Sequence, residues 1–185
     1  MEAVSSLLRR LLAGGALALW SVAAHAADNP VEYGLKEAYL YKFLPFVQWP
    51  AAAFAAPNTP VTLCILGHDP FGASLDKDVS GEHVDVRNIV LRRIETPEAA
   101  QTCQAIFIDI ADPQGEGAAI QALQGKPILT ITDSGASAPG IIAFVIDSNH
   151  VRFDIDDQAA ARSGLSISSK LLSLARAVKP RSGAL

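Results

Sequence analysis

The sequence predicts an α/β fold: a single domain with a mainly parallel sheet flanked by helices and an antiparallel edge hairpin. Three observations predict it. Short apolar runs recur at residues 61–66, 105–110, 128–131 and 141–146, each bounded by turn residues. Segments with helical signals separate the first three runs. An alternating run, Val151, Phe153 and Ile155 against Arg152 and Asp154, then follows the turn Asp147-Ser148-Asn149-His150. Strands alternating with helices make a parallel sheet, and the late hairpin adds an antiparallel edge.

The elements follow in order. Arg9 and Arg10 precede an apolar stretch, residues 11–24, and the small-x-small triplet Ala24-His25-Ala26. This is the layout of a cleaved secretory signal, and the apolar stretch is short of the ~20 residues a membrane-spanning helix needs. Residues 1–26 are therefore expected to be a signal peptide, with the domain over 27–180 and a flexible tail over 181–185. Next comes "YGLKEAYLYKFLPFVQWP", which holds every tyrosine of the chain. Leu40, Phe43, Leu44 and Val47 fall at i, i+3, i+4 and i+7, one helix face; Leu35, Tyr39 and Phe46 line a second. Pro45 removes one backbone bond and should tighten the last turn, and Pro50 ends the segment.

After the first apolar run, Gly67-His68-Asp69-Pro70 turns the chain into a short helix over 71–79. Residues 84–94 alternate loosely and suggest a half-exposed strand. Thr96-Pro97-Glu98 starts another helix, with Thr96 as N-cap. Residues 115–123 are helical, and so are 157–162, ended by Gly164. Leu171, Leu174, Ala175 and Val178 read as the apolar stripe of a last helix, and residues 179–183 as a frayed end.

Composition narrows the function. Removing the signal leaves roughly 160 residues, enough for one domain with a real core. Its net charge would be about −5, which gives no footprint for nucleic acid and no polybasic patch for anionic lipid. Cys64 and Cys103 are an isolated pair in a chain expected to be exported. A disulfide is the natural reading; two buried free thiols are the alternative. The pair makes neither a zinc nor a CxxC redox motif.

Catalytic signatures fail one by one. Ser134 lacks a GxSxG elbow, no P-loop or GxGxxG is present, and His68, His83 and His150 have no HExxH spacing. Asp154, Asp156 and Asp157 lack the EF-hand pattern and suit the N-terminus of the following helix. No nucleophile–base pair, cofactor or metal is expected. Three loops, after residues 67, 109 and 132, should leave the same sheet edge, where open α/β sheets bind ligands. His68, Asp69, Asp133 and Ser134 are the candidate pocket residues there; ordinary turn chemistry is the alternative. The aromatic segment suits a core helix, a partner surface, a ligand cage or a membrane anchor, with Lys36, Glu37 and Lys42 speaking against the anchor. Tyr39, Phe46 and Trp49, with Phe153, are the candidate partner or dimer interface, since aromatics carry much interface energy.

"YLYKFLPFVQWP", "VTLCILGHDPFGASL", "CQAIFID", "ILTITD" and "GIIAFVIDSNHVRFDIDDQAAARSGLSISSKLLSLA" together resemble the YfiR family, in order and in spacing. The resemblance covers nearly all of the expected mature chain. It implies a non-enzymatic periplasmic protein that binds the periplasmic sensor domain of an inner-membrane diguanylate cyclase and represses it. Cyclic-di-GMP and biofilm formation then stay low. It also implies a homodimer and places Cys64 and Cys103 at the family's cysteine pair. Some members carry a second pair near the hairpin; none occurs here between residues 141 and 155. A small-ligand-binding sensor is the alternative function.

Overall fold

The computed structural model describes residues 29–133 and 135–182. The expected signal peptide lies outside the described residues, as do Ser134 and residues 183–185. The chain opens with α1 (Pro30–Phe43), capped by the Asn29 side chain, which accepts the Val31 N–H, and with Pro30 at its first position. At Pro45 the helix tightens into a 3₁₀ turn, Leu44–Phe46, as the missing N–H requires. A two-residue strand, β1 (Val47–Gln48), follows.

The sheet then builds from β2 (Val61–Gly67), α2 (Ala73–Val79), β3 (His83–Val84) and β4 (Arg87–Ile94). The single strand expected over 84–94 is thus a hairpin, broken at Asp85, whose φ is +53°. Residues Pro97–Thr102 form a 3₁₀ helix, and Thr96 makes no side-chain cap. Next come β5 (Ala105–Asp109), α3 (Pro113–Leu123), β6 (Leu129–Thr132), β7 (Ile142–Asp147) and β8 (His150–Asp156). The chain ends with α4 (Asp157–Arg162), β9 (Ser166–Ile167), α5 (Ser169–Leu172) and β10 (Ala177–Lys179).

Eight strands form one sheet in the order β10-β8-β7-β6-β5-β2-β4-β3. The α/β reading stands: β4, β2, β5, β6 and β7 run parallel, and the β7–β8 hairpin is antiparallel. Two details differ. The hairpin is not the edge, because β10 adds outside it, parallel to β8. The expected last helix stops at Leu172, and Val178 lies in β10. Arg176, Lys179 and Arg181 explain the switch: they ion-pair with Asp154, Asp156 and Asp157, so the basic residues match an acidic edge instead of a helix face. The stretch expected to fray is therefore tied down at Lys179 and Arg181.

The period of two sorts each buried strand between two cores. Leu63 and Ile65 of β2, and Ala105 and Phe107 of β5, pack toward α1 and α2 in the larger cluster. Cys64, Leu66, Ile106 and Ile108 face the other way, against Ala119, Ile120 and Leu123 of α3. Both faces are covered, which is why these strands read as unbroken apolar runs.

Candidate functional site

The chain reverses its direction of travel across the sheet between β2 and β5, the place where α/β sheets usually open a ligand crevice. Here that crevice is shut by backbone. Gly67 has φ +91°, and a Cβ on it would meet the Asp109 carbonyl oxygen at 2.1 Å. The His68 N–H donates to that same oxygen at 2.7 Å. Only glycine allows the two strand ends to close in this way.

The four candidate pocket residues separate. Exposed His68 places Nδ1 3.0 Å from Asp109 Oδ2. Asp69 turns toward α2, accepting the Phe71 and Gly72 N–H groups and the Arg93 guanidinium at 2.6 Å. Burial would raise the Asp69 pKa, but these bonds outweigh it and hold the carboxyl below its ordinary value. Asp133 turns toward α1 instead, and Ser134 lies outside the described residues. Asp109 and Asp133 do share one cleft of about 360 Å³, together with Tyr33, Glu116 and Ser137.

The polar groups of that cleft are engaged with one another. Asp133 accepts the Tyr33 hydroxyl at 2.8 Å and pairs with Lys36, which also pairs with Glu32. Lys36 is 0% exposed and stands over the Tyr33 ring. Glu116 accepts the Ser137 N–H and hydroxyl at 2.6 and 2.7 Å. Lys36 thus pins α1 to the end of β6 across nearly the whole sequence. Removing one member of a buried pair of this kind costs ~3–5 kcal/mol.

Next to Lys36 on α1, Glu37 is buried at the contact with α2, and its Oε1 has no hydrogen-bond partner. Burial is the main cause that raises its pKa, helped by Asp78 and Asp69 and opposed by the Ser74 hydroxyl. The sequence gives no sign of either burial. Lys36 and Glu37 read as solvent-facing charges until Asp133 and Ser74 are brought beside them.

The aromatic segment is largely spent inside the chain. Leu40, Phe43, Leu44 and Val47 are buried in the larger core, as their spacing implies. Tyr39 stacks on Phe43 with centroids 5.5 Å apart and meets Phe153 edge-on at 5.6 Å. Phe153 itself is 4% exposed and packs edge-on to Phe43 at 4.9 Å. Half-buried Phe46 lies beneath Lys170, and its carbonyl accepts the Ser168 N–H. Trp49 is held by its indole N–H, which donates to the Gln104 carbonyl at 2.9 Å. Each of these rings therefore has a partner within the chain, and Tyr39, Phe46 and Trp49 keep part of their surface outside.

Gln104 is the residue that sequence reasoning missed. Its side chain accepts the Thr62 N–H and donates to the Ala53 carbonyl, so it joins β2 to the loop after Trp49. The adjacent Cys103 is bonded to Cys64, with Cα atoms 5.9 Å apart. Both cysteines are buried in the smaller core. The cross-brace therefore stands beside the residue that holds the tryptophan.

Two comparisons bear on the chain. Residues 33–176 match the family model described as YfiR/HmsC-like, a span that runs from α1 to the residue before β10. Among solved structures, the ABC domain from Streptococcus pneumonia, crystallised in complex with L-Trp, aligns with a TM-score of 0.52 at 11% identity. The alignment covers 77% of this chain and 60% of that chain, so this protein spans less than two thirds of that neighbour. At such low identity the likeness concerns the fold alone.

Proposed function

We propose, from the premise that this chain belongs to the YfiR/HmsC-like family, that it represses an inner-membrane diguanylate cyclase by gripping its periplasmic sensor domain. The family supports the coarser statement directly: a periplasmic, non-catalytic regulator of cyclic-di-GMP signalling. The finer one, a partner held and silenced so that biofilm formation stays off, is our reading. The single observation that carries it is the extent of the match, which takes in both faces of the sheet and not one isolated motif. The homodimer, the signal peptide over 1–26 and the domain over 27–180 belong to the same reading. So does an outward role for the free parts of Tyr39, Phe46 and Trp49.

A second reading, a small-ligand sensor, is favoured by the cleft at Asp109 and Asp133. The two are compatible, since a ligand that prefers one state shifts partner affinity. Deleting the gene in its native host tests the first. Cellular cyclic-di-GMP should rise severalfold, and an episomal copy should restore it. An unchanged level in a host that encodes a cyclase with a periplasmic sensor domain contradicts repression.

A further inference from the structure

Three of the exposed large hydrophobic residues gather in one place. Val31 (74% exposed) and Leu35 (49%) lie one turn apart on α1, and Ile146 (45%) faces them from the end of β7. With Tyr39, Val151, Arg152 and Glu32, whose charge is paired with Lys36, they line a cleft of about 470 Å³ between α1 and the β7–β8 hairpin. The strand side of this cleft has unspent backbone. Asp147 and His150 close a two-residue turn, with Ser148 and Asn149 at φ +50° and +63°. Bonded and non-bonded pairs alternate in an antiparallel ladder, so the bonded pairs fall at Val145–Arg152 and Ala143–Asp154. The Asp156 N–H donating to the Ile141 carbonyl at 2.8 Å continues that series.

Val151, Phe153 and Ile155 therefore turn their backbone groups to the outer edge of β8. The β10 side takes up that edge only from Phe153, whose carbonyl accepts the Arg176 N–H at 2.9 Å. Among the described residues, no strand pairs with β8 on that side ahead of Phe153. The lane beside Val151 is open, and the apolar cleft adjoins it. A strand entering the lane would alternate its side chains. Those level with Val151 would meet Val31, Leu35 and Ile146. Those between would flank His150, whose cross-strand neighbour is Asp147, and Arg152; neither forms an ion pair among the described residues.

We propose that this open lane beside Val151 is a docking groove for an extended peptide segment of a partner protein, one that alternates apolar with acidic side chains. Strand addition supplies main-chain hydrogen bonds, and the apolar cleft and the two basic residues supply selectivity. That the segment belongs to the cyclase rests on the regulatory reading above; the groove itself does not. A pentapeptide labelled at its N-terminus, fluorescein-Leu-Glu-Val-Glu-Leu-amide, titrated against the mature protein by anisotropy, is the test. Binding is expected, with the Val151 amide slowed in hydrogen exchange. Leu35→Glu, Arg152→Glu, or N-methylation of the central valine of the peptide should each weaken it about tenfold or more.

Leu35 and Arg152 are exposed, and a circular-dichroism spectrum identical to wild type shows that the variants fold. No binding up to about 1 mM, or binding that the N-methylated peptide retains, overturns the proposal. So does Val151 protection that grows with protein concentration alone, which would make a second copy the occupant. The titration contains no cyclase, so its failure is separate from any failure of repression. Conversely, a Leu35→Glu variant that loses the peptide yet still represses leaves the regulatory reading standing and removes the groove from it.

Discussion

Glu37 shows how a residue can look ordinary in sequence and carry strain in the fold. Its carboxylate is buried, one oxygen is unbonded, and Asp69 and Asp78 add repulsion. The folded pKa lies above the ordinary 4.5, so the folded chain holds this proton more tightly than the unfolded chain does. The associated stabilisation is full below 4.5 and is lost as the pH rises through the raised value. Glu37→Gln should therefore stabilise the protein at pH 7 by ~1 kcal/mol, the scale of an unsatisfied buried group. The gain should vanish near pH 4; urea midpoints at the two pH values measure it. An equal gain at both would show that the carboxylate charge is not the cause. Neither Glu37 nor Lys36 was legible as a buried group, because burial of a helix charge depends on what a distant segment brings to it. Asp133, almost a hundred residues away, decides the matter for Lys36.

Elements were legible where local chemistry acts alone. Pro45 forced the 3₁₀ turn, Asp156 caps α4 by accepting the Ala159 N–H, and Ser148-Asn149 makes the hairpin turn. They were illegible where pairing acts. The last apolar stripe, Leu171 to Val178, has helical spacing, yet its end is drawn into a strand by Asp154 and Asp156 on β8. The β1–β9 pair, two residues each, offers no period to read. The disulfide belongs to this scale, because it ties β2 to the entry of β5 across a sequence separation of 39. Closing a loop of that size removes ~4 kcal/mol of unfolded-chain entropy. Cys64→Ser and Cys103→Ser should each lower the unfolding free energy by about that much, and the double variant by little more. Strict additivity of the two losses would show that they come from side-chain packing and not from the bond.

At the scale of the whole molecule, the alternating apolar runs specified a two-faced parallel sheet, and that architecture was readable before any contact was known. The location of function was less readable. The sheet edge, where the fold class suggests a ligand, is closed at its switch point by Gly67 against Asp109. The aromatic segment, which suggests an interface, puts Tyr41 and Phe43 in the core and packs Tyr33, Tyr39, Phe46 and Trp49 half-buried against it. The remaining free surface of α1 and the open lane of β8 come from tertiary placement that no single segment encodes. Under the proposed function, the protein acts by holding another protein. Titrating the purified mature chain against the isolated periplasmic domain of the cyclase its host encodes, by calorimetry, tests that claim most directly. The expected result is a saturable one-to-one association of protomers, with a dissociation constant in the micromolar range or tighter, on the order of −8 kcal/mol. No heat and no co-elution at ~100 µM of each protein, with both shown to be folded, would contradict it.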